Sequence, residues 1–314
     1  MPHLSRIKKF HLDRSGRTVE AFLALPPGLV PSLCSLEITD NWAIDLKHSA
    51  VLQGAPNFHE LLLAASQITP AWIYTLPLSQ LTTLTLPYAR FAPDQVLAIM
   101  KLSPNLIQCT FAVAAVAPLN PRLSSSLVLA APIVHNVQSL TFDLHSKCDE
   151  VYEIQQLFLP HLRHFILKSG RILDWDNWWA PSILRSGLLE TLVLDDIVVS
   201  SQQLGQLLHG TPHLLELGIS SGRMITPPVL EEMASGALLP KLRTLRCLIG
   251  VTDVDDIGAL DLHLDMLEKR REKTTAASHI ADVQLKLMTS QRISGVTRLG
   301  RMVKEGWNIQ HVWQ

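Results

Sequence analysis

One phrase recurs along this chain: an apolar residue, two others, an apolar residue, one other, an apolar residue. It reads Ile7/Phe10/Leu12, Leu33/Leu36/Ile38, Phe58/Leu61/Leu63, Leu81/Leu84/Leu86 and Leu106/Cys109/Phe111. It continues as Val137/Leu140/Phe142, Leu162/Phe165/Leu167, Leu189/Leu192/Leu194, Leu214/Leu217/Ile219 and Leu242/Leu245/Cys247, with Ile280/Val283/Leu285 as an eleventh. The steps between first positions are 26, 25, 23, 25, 31, 25, 27, 25, 28 and 38 residues. The second and third apolar positions are two apart, so they share one face of a strand. The first stands at the turn leading into that strand. No single phrase encloses its three side chains, but stacked neighbours do, and each large side chain fully buried contributes about 1.5–3 kcal/mol. Cysteine at two of the positions fits, because a free thiol behaves as a small hydrophobe.

A second regularity supports the phase. Proline stands two residues before the first apolar position at Pro31, Pro56, Pro104, Pro160, Pro212 and Pro240. It has no N–H to give and disfavours helix in the residue before it, so it ends a returning helix and leads into the strand. Between phrases the spacing turns helical. Asp94 to Leu102 is expected to be a helix with Asp94 as N-cap. Ser200 to Leu208 and Thr226 to Met233 read likewise, the latter with proline in its first turn. Weaker helices are expected at Val151–Leu159 and Ile183–Leu189. After Gly250 the pattern loosens: a longer helix from Asp255 to Lys273, a polar loop at Thr274–Ser278, a strand near Ile280–Leu287, a helix near Gly295–Glu305 and a last strand near Ile309–Trp313.

Most of the steps fall in the range of about 20 to 29 residues typical of leucine-rich repeats. The expected fold is therefore α/β, a leucine-rich-repeat solenoid or horseshoe of ten to eleven irregular βα repeats with a parallel sheet on its concave face. Strands about 4.8 Å apart would give that sheet an arc on the order of 50 Å. Residues 1–250 form the array, and 251–314 an atypical repeat and cap continuous with it. With 314 residues, 47% hydrophobic and 18% charged, the chain can bury a sizeable core. A net charge of −1 asks for neither nucleic acid nor an anionic membrane as partner. The longest apolar run, Phe111–Leu119, is far short of the roughly 20 residues of a membrane helix. The segment Met1–Arg17 is polar and does not read as a secretory signal. The cysteines Cys34, Cys109, Cys148 and Cys247 form no C-x-x-C pair, which points to a reducing compartment, cytoplasm or nucleus.

The Pro-x-Leu-x-x-Leu-x-Leu phrase, the irregular repeat lengths and the Leu- and Pro-rich helices resemble the repeat region of fungal F-box/leucine-rich-repeat proteins, over roughly residues 5 to 314. The resemblance implies a substrate receptor of a cullin ubiquitin ligase, in which an N-terminal F-box docks on a Skp-type adaptor and the repeats hold the protein to be ubiquitinated. The sequence departs from the pattern at that adaptor contact: the first phrase begins at Ile7, and no Leu-Pro-x-Glu-like F-box segment is found. The Asn ladder of regular leucine-rich repeats is missing too. Eight residues after the first apolar position, asparagine occurs only at Asn41. That leaves the irregular, intracellular class.

Candidate chemistry is sparse. His161-Leu-Arg-His164 has H-x-x-H spacing, but the phase puts it at a turn and a strand start rather than on a helix with a third ligand. Asp253-Val-Asp-Asp-Ile-Gly258 has Ile257 and Leu264 where a calcium loop needs oxygen donors, so helix capping is the expected role. Glu268-Lys-Arg-Arg-Glu-Lys273 reads as a solvated helix face before it reads as a nuclear signal. In Asp174-Trp-Asp-Asn-Trp-Trp179, the spacing of Trp175, Trp178 and Trp179 favours core packing over a binding hot spot. No nucleophile elbow, Walker loop or dinucleotide fingerprint occurs. No cofactor or metal is implied, and the chain reads as a non-catalytic binding module. Strand residues between the apolar positions should line the binding face. Its middle is small and Thr-rich, and charges reappear from His164 onward. The expected partner-binding residues are His164, Lys168, Thr191, Asp195, Glu216 and Arg246, and the expected function is a protein–protein scaffold. The alternatives are a small-molecule enzyme using the C-terminal segment, and an F-box-less structural remnant with no specific partner.

Overall fold

The apolar phrases become strands, and their spacing becomes register. The computed structural model describes residues 3–13, 16–43, 49–67, 70–114, 133–145, 156–174, 186–220, 225–251, 254–273, 280–289 and 297–313. The chain is α/β and divides into two compact units, Met1–Leu162 and Arg163–Gln314, so residue 250 falls inside the second. The first unit holds strands β1 (Lys9–Asp13), β2 (Ser35–Ala43), β3 (Glu60–Gln67), β4 (Thr83–Phe91), β5 (Gln108–Val113) and β7 (Ser139–Leu144) in one parallel sheet, ordered as in the chain. Two short strands, β6 (Ile133–Val134) and β8 (Leu157–Phe158), pair in parallel beside it. The second unit holds β9 (His164–Asp174), β10 (Thr191–Val198), β11 (Glu216–Ile219), β12 (Thr244–Val251), β13 (Asp282–Thr289) and β14 (Asn308–Trp313), again parallel and in chain order. Neither sheet closes on itself.

Equivalent phrase positions stand side by side. In the first unit Phe10, Leu36, Leu61, Leu84, Cys109 and Leu140 share one register row. In the second, Phe165, Leu192, Leu217, Leu245 and Val283 do the same. Almost all phrase residues are buried; Ile7 and Phe10 in the first phrase and Ile280 in the eleventh are only half-buried. Phe111 stacks on Phe142 at 6.2 Å and meets Phe91 edge-on at 6.5 Å, all three buried in the first core.

Parallel strands cannot be joined by hairpins, so each needs a crossover, and here the crossovers are short. Helices α1 (Gly16–Leu23), α2 (Ala50–Gln53), α3 (Pro70–Ile73) and α4 (Pro93–Leu102) serve the first unit. Helices α5 (Ser201–His209), α6 (Pro227–Ser235), α7 (Val254–Lys273) and α8 (Thr297–Lys304) serve the second. The strand and helix expected after Gly250 are present as β13 and α8, the last strand as β14, and the long helix as α7.

Pro160 follows strand β8 and not a helix, so ending a helix is not the role that the six prolines share. Each is the second residue of a β-turn, closed by N–H to C=O bonds from Leu33 to Val30, Phe58 to Ala55, Leu106 to Ser103, Leu162 to Leu159, Leu214 to Thr211 and Leu242 to Leu239. Proline's fixed φ suits that position. Directly after each turn, one carbonyl accepts two successive N–H groups from the next strand's start. Lys8 serves Cys34 and Ser35, Cys34 serves His59 and Glu60, and His59 serves Thr82 and Thr83. Arg163, Glu190, Leu215 and Arg243 repeat the pattern in the second unit. The turn and the forked bond together lock the first apolar residue inward.

Some local expectations are corrected. Ala92, not Asp94, is the N-cap of α4, because Pro93 already occupies the first helical position. Gln95 Oε1 accepts the Ala92 N–H at 3.0 Å, and the Asp94 carboxylate accepts the Gln95 N–H at 2.8 Å. The described end of the segment expected as a helix at Val151–Leu159 is strand β8, paired with β6. The described end of Ile183–Leu189 is turn and extended chain, with Gly187 at φ 58°. The run Glu268–Lys273 is not a uniformly solvated face: Lys269 and Arg271 are exposed, but Arg270 is buried. The tryptophan segment 175–179 and the loop 274–278 lie outside the described residues, as do the side chains of 251–257. No helix among the described residues is long and apolar enough to cross a membrane.

Candidate functional site

Each sheet buries its apolar phrase on one face and presents the intervening side chains on the other. In the first unit that open face is mostly small and neutral: Ser35, Thr83 and Ser139 lie in one row, Thr85, Thr110 and Thr141 in the next. Charge concentrates toward β1, where His11 Nδ1 approaches Glu37 Oε2 at 3.3 Å.

In the second unit the open face gathers all six expected binding residues. His164, Thr191, Glu216, Thr244 and Asp282 form one row across β9 to β13. Its side chains are half-buried, which holds them in place without removing them from reach. His164 Nδ1 lies 3.0 Å from Thr191 Oγ1, a bond that orients both. Arg246 Nη2 reaches across to Glu216 Oε1 at 3.1 Å. Lys168 and Asp195 are exposed and opposite each other in register, in the middle of β9 and β10. Just beyond Asp195 the strand bulges: Asp196 takes φ 57°, and its N–H donates to Ser220 Oγ at 2.6 Å. A bulge turns the side chains beside it and ends regular pairing.

Between these polar groups runs a second row, Ile166, Val193, Gly218, Arg246 and Gln284, of which only Arg246 was expected to bind a partner. Gly218 interrupts this row with no side chain of its own, and it is buried. A Cβ there would stand 3.2 Å from both γ-methyls of Val193, so the glycine leaves room for Val193 to lie across it. The row is therefore apolar at Ile166 and Val193, and the Glu216–Arg246 pair follows on the next strands. Asp282, Gln284 and Lys286 extend the face onto β13. In the eleventh phrase Asp282 and Gln284 fall between apolar positions and Lys286 directly follows the last one, and that was the available signal.

The edge where strands begin has its own electrostatics. In the second unit α5, α6 and α8 each end a few residues before a strand starts, so helix C-termini and strand starts share this edge. A helix C-terminus carries about half a negative charge. Basic groups collect there: Arg163, paired with Glu190 at 2.5 Å, His213 with Lys241 at 3.1 Å, and exposed Arg243. His209, in the last turn of α5, donates Nδ1–H to the Gly205 carbonyl at 2.7 Å and meets Glu232 at 2.8 Å. That carbonyl, ahead of the Glu232 carboxylate, holds the imidazole pKa above its ordinary value. Arg270 caps α6 from outside: its guanidinium donates to the carbonyls of Met233 at 2.9 Å and Leu239 at 2.6 Å. Burial draws its pKa below the usual arginine range.

Among the described residues no three His, Cys, Asp or Glu side chains stand together as a metal site would require. His161 is exposed on its turn while His164 is turned to Thr191. Cys109 and Cys247 are core residues. Burial pushes both thiols up, that of Cys247 to about 12, the opposite of an activated nucleophile. Compared with protein-family models and with curated proteins, the chain matches none.

Proposed function

We propose that this chain is an irregular leucine-rich-repeat solenoid that binds a protein on the open face of its second sheet, through His164, Lys168, Thr191, Asp195, Glu216 and Arg246. One observation carries the reading. The phrase positions stay in register from strand to strand, so the intervening side chains form ordered polar rows around an apolar patch of Ile166 and Val193 beside Gly218. Mixed polar rows around an apolar centre are what a protein interface presents. The resemblance to fungal F-box/leucine-rich-repeat proteins extends the reading to a substrate receptor of a ubiquitin ligase, working in the cytoplasm or nucleus without catalysis of its own. Residues 251–314 would then be the atypical last repeat and cap.

The test is affinity capture with the tagged full chain and with a triple variant, His164→Ala, Lys168→Ala and Asp195→Ala. Specific partners should be recovered by the parent and lost by the triple variant, with thermal unfolding unchanged. A Skp-type adaptor among them supports the ligase role, and its consistent absence removes that role while leaving the binding module. Equal recovery by parent and variant would place the binding surface elsewhere. Recovery of no specific partner by either would favour the structural remnant.

A further inference from the structure

We propose that a cleft of about 240 Å³ in the second unit receives a cationic side chain, a lysine or arginine of the partner. The proposal rests on the binding-module reading for the source of that side chain; the cleft meets the open sheet face only at Asp282 and contains none of the six residues proposed there. It is walled by the last turns of α7, the turn after α8 and the first residues of β13.

Three features select a cation. Leu267, Ile280 and Val283 give the cleft an apolar lining, against which the methylene stem of a lysine or arginine packs while its head reaches polar groups. Trp307 lines the same space and is half-buried. The chain's own Arg271 guanidinium stands 5.8 Å from that ring's centroid, so the indole already serves a cation. Finally, Asp282 offers a half-buried carboxylate. Gln284 Nε2 donates to its Oδ2 at 2.9 Å, and no cation pairs with it among the described residues. Glu305, by contrast, is held by Arg271 at 2.7 Å.

The background field has the same sign. α7 and α8 both end here, and their C-terminal carbonyls add negative potential. Arg270 also lines the cleft, but its charge is set against the carbonyls that close α6. Arg271 lines the cleft too, but it is paired with Glu305, which leaves Asp282 and the two helix C-termini as the charge that a guest meets, and these favour a cation.

The test is an NMR titration of the full chain with N-acetyl-arginine amide, N-acetyl-lysine amide and N-acetyl-glutamate amide. The two cationic probes should shift the Trp307 indole N–H and the Asp282 amide, and the glutamate probe should shift neither. Asp282→Asn keeps the acceptor for Gln284 and should weaken the cationic probes about fivefold. Arg271→Gln removes the resident cation from the indole and should strengthen them. Binding of the glutamate probe, no response to any probe at tens of millimolar, or unchanged affinity in Asp282→Asn would each overturn the proposal. The triple variant of the sheet face should bind the probes as the parent does, so failure of the face and failure of the cleft are separately visible.

Discussion

At the scale of single residues, burial decides chemistry. Cys109 and Cys247 occupy leucine positions of the phrase, and a thiolate there would have to form without water. Cys34 is half-buried, its Sγ–H directed to the Ser32 carbonyl at 3.3 Å. Alkylation of the native protein followed by peptide mapping should therefore mark Cys34 readily, and Cys109 and Cys247 only under unfolding conditions. Labelling of Cys109 at the rate of Cys34 would contradict its place in the core. The residues of the open face were legible at this scale because alternation along a strand is strict: once Leu192 and Leu194 point inward, Thr191 and Asp195 cannot. The contact between Val193 and Gly218 was not, because a glycine's meaning depends on the neighbour that leans over it, and Val193 is 25 residues away in the chain.

At the scale of elements, helix ends distinguish side chains that look alike in sequence. Ser200 and Thr226 both precede helices. Ser200 Oγ accepts the Gln203 N–H at 3.3 Å, and Gln203 Oε1 accepts back from the Ser200 N–H at 3.0 Å, a full capping box. Thr226 makes no such bond, and α6 relies on Pro227 and Pro228 instead. Denaturant titration of Ser200→Ala should show a loss of about 1 kcal/mol, while Thr226→Ala should change little. Equal losses would mean the caps work alike. Helices α7 and α8 are tied by charge. Arg298 reaches Asp265 at 2.5 Å and Glu268 at 2.8 Å, and Arg301 reaches Glu268 at 2.5 Å. The Arg298 hydrogen bond, then that of Arg301, holds the Glu268 carboxyl below its ordinary value of 4.5. A carboxylate whose folded pKa is depressed adds stability above its unfolded pKa and loses it as pH falls through the folded one. Stability of the parent measured downward from pH 7 should thus fall below about pH 4.5 more steeply than that of Glu268→Gln; parallel curves would show that the network contributes nothing.

At the scale of the whole molecule, the solenoid reading makes a modular prediction. If each repeat contacts only its neighbours, one can be excised in phase. Deleting residues 81–105 joins Gln80 to Leu106 and brings β5 beside β3, with the His59 carbonyl free to take the Ile107 and Gln108 N–H groups. That variant should fold, by circular dichroism and a cooperative melt. A deletion of half that length, which throws the phrase out of step, should not. If both fail, the strands are not interchangeable repeats. The sequence alone determined which apolar residues of the phrase are inside, which strands they form and the order of those strands. All three follow from the spacing of apolar side chains and from the turn that each proline begins, and both are local properties. Only the tertiary structure decided which polar groups meet. Arg270 sits in a charged run that reads as solvated, yet it is buried against the end of a helix some thirty residues earlier. Asp282 and Trp307 come from separate elements to line one cleft. The pairing of charges depends on distances between elements, and the packing of those elements is not written in any single stretch of chain.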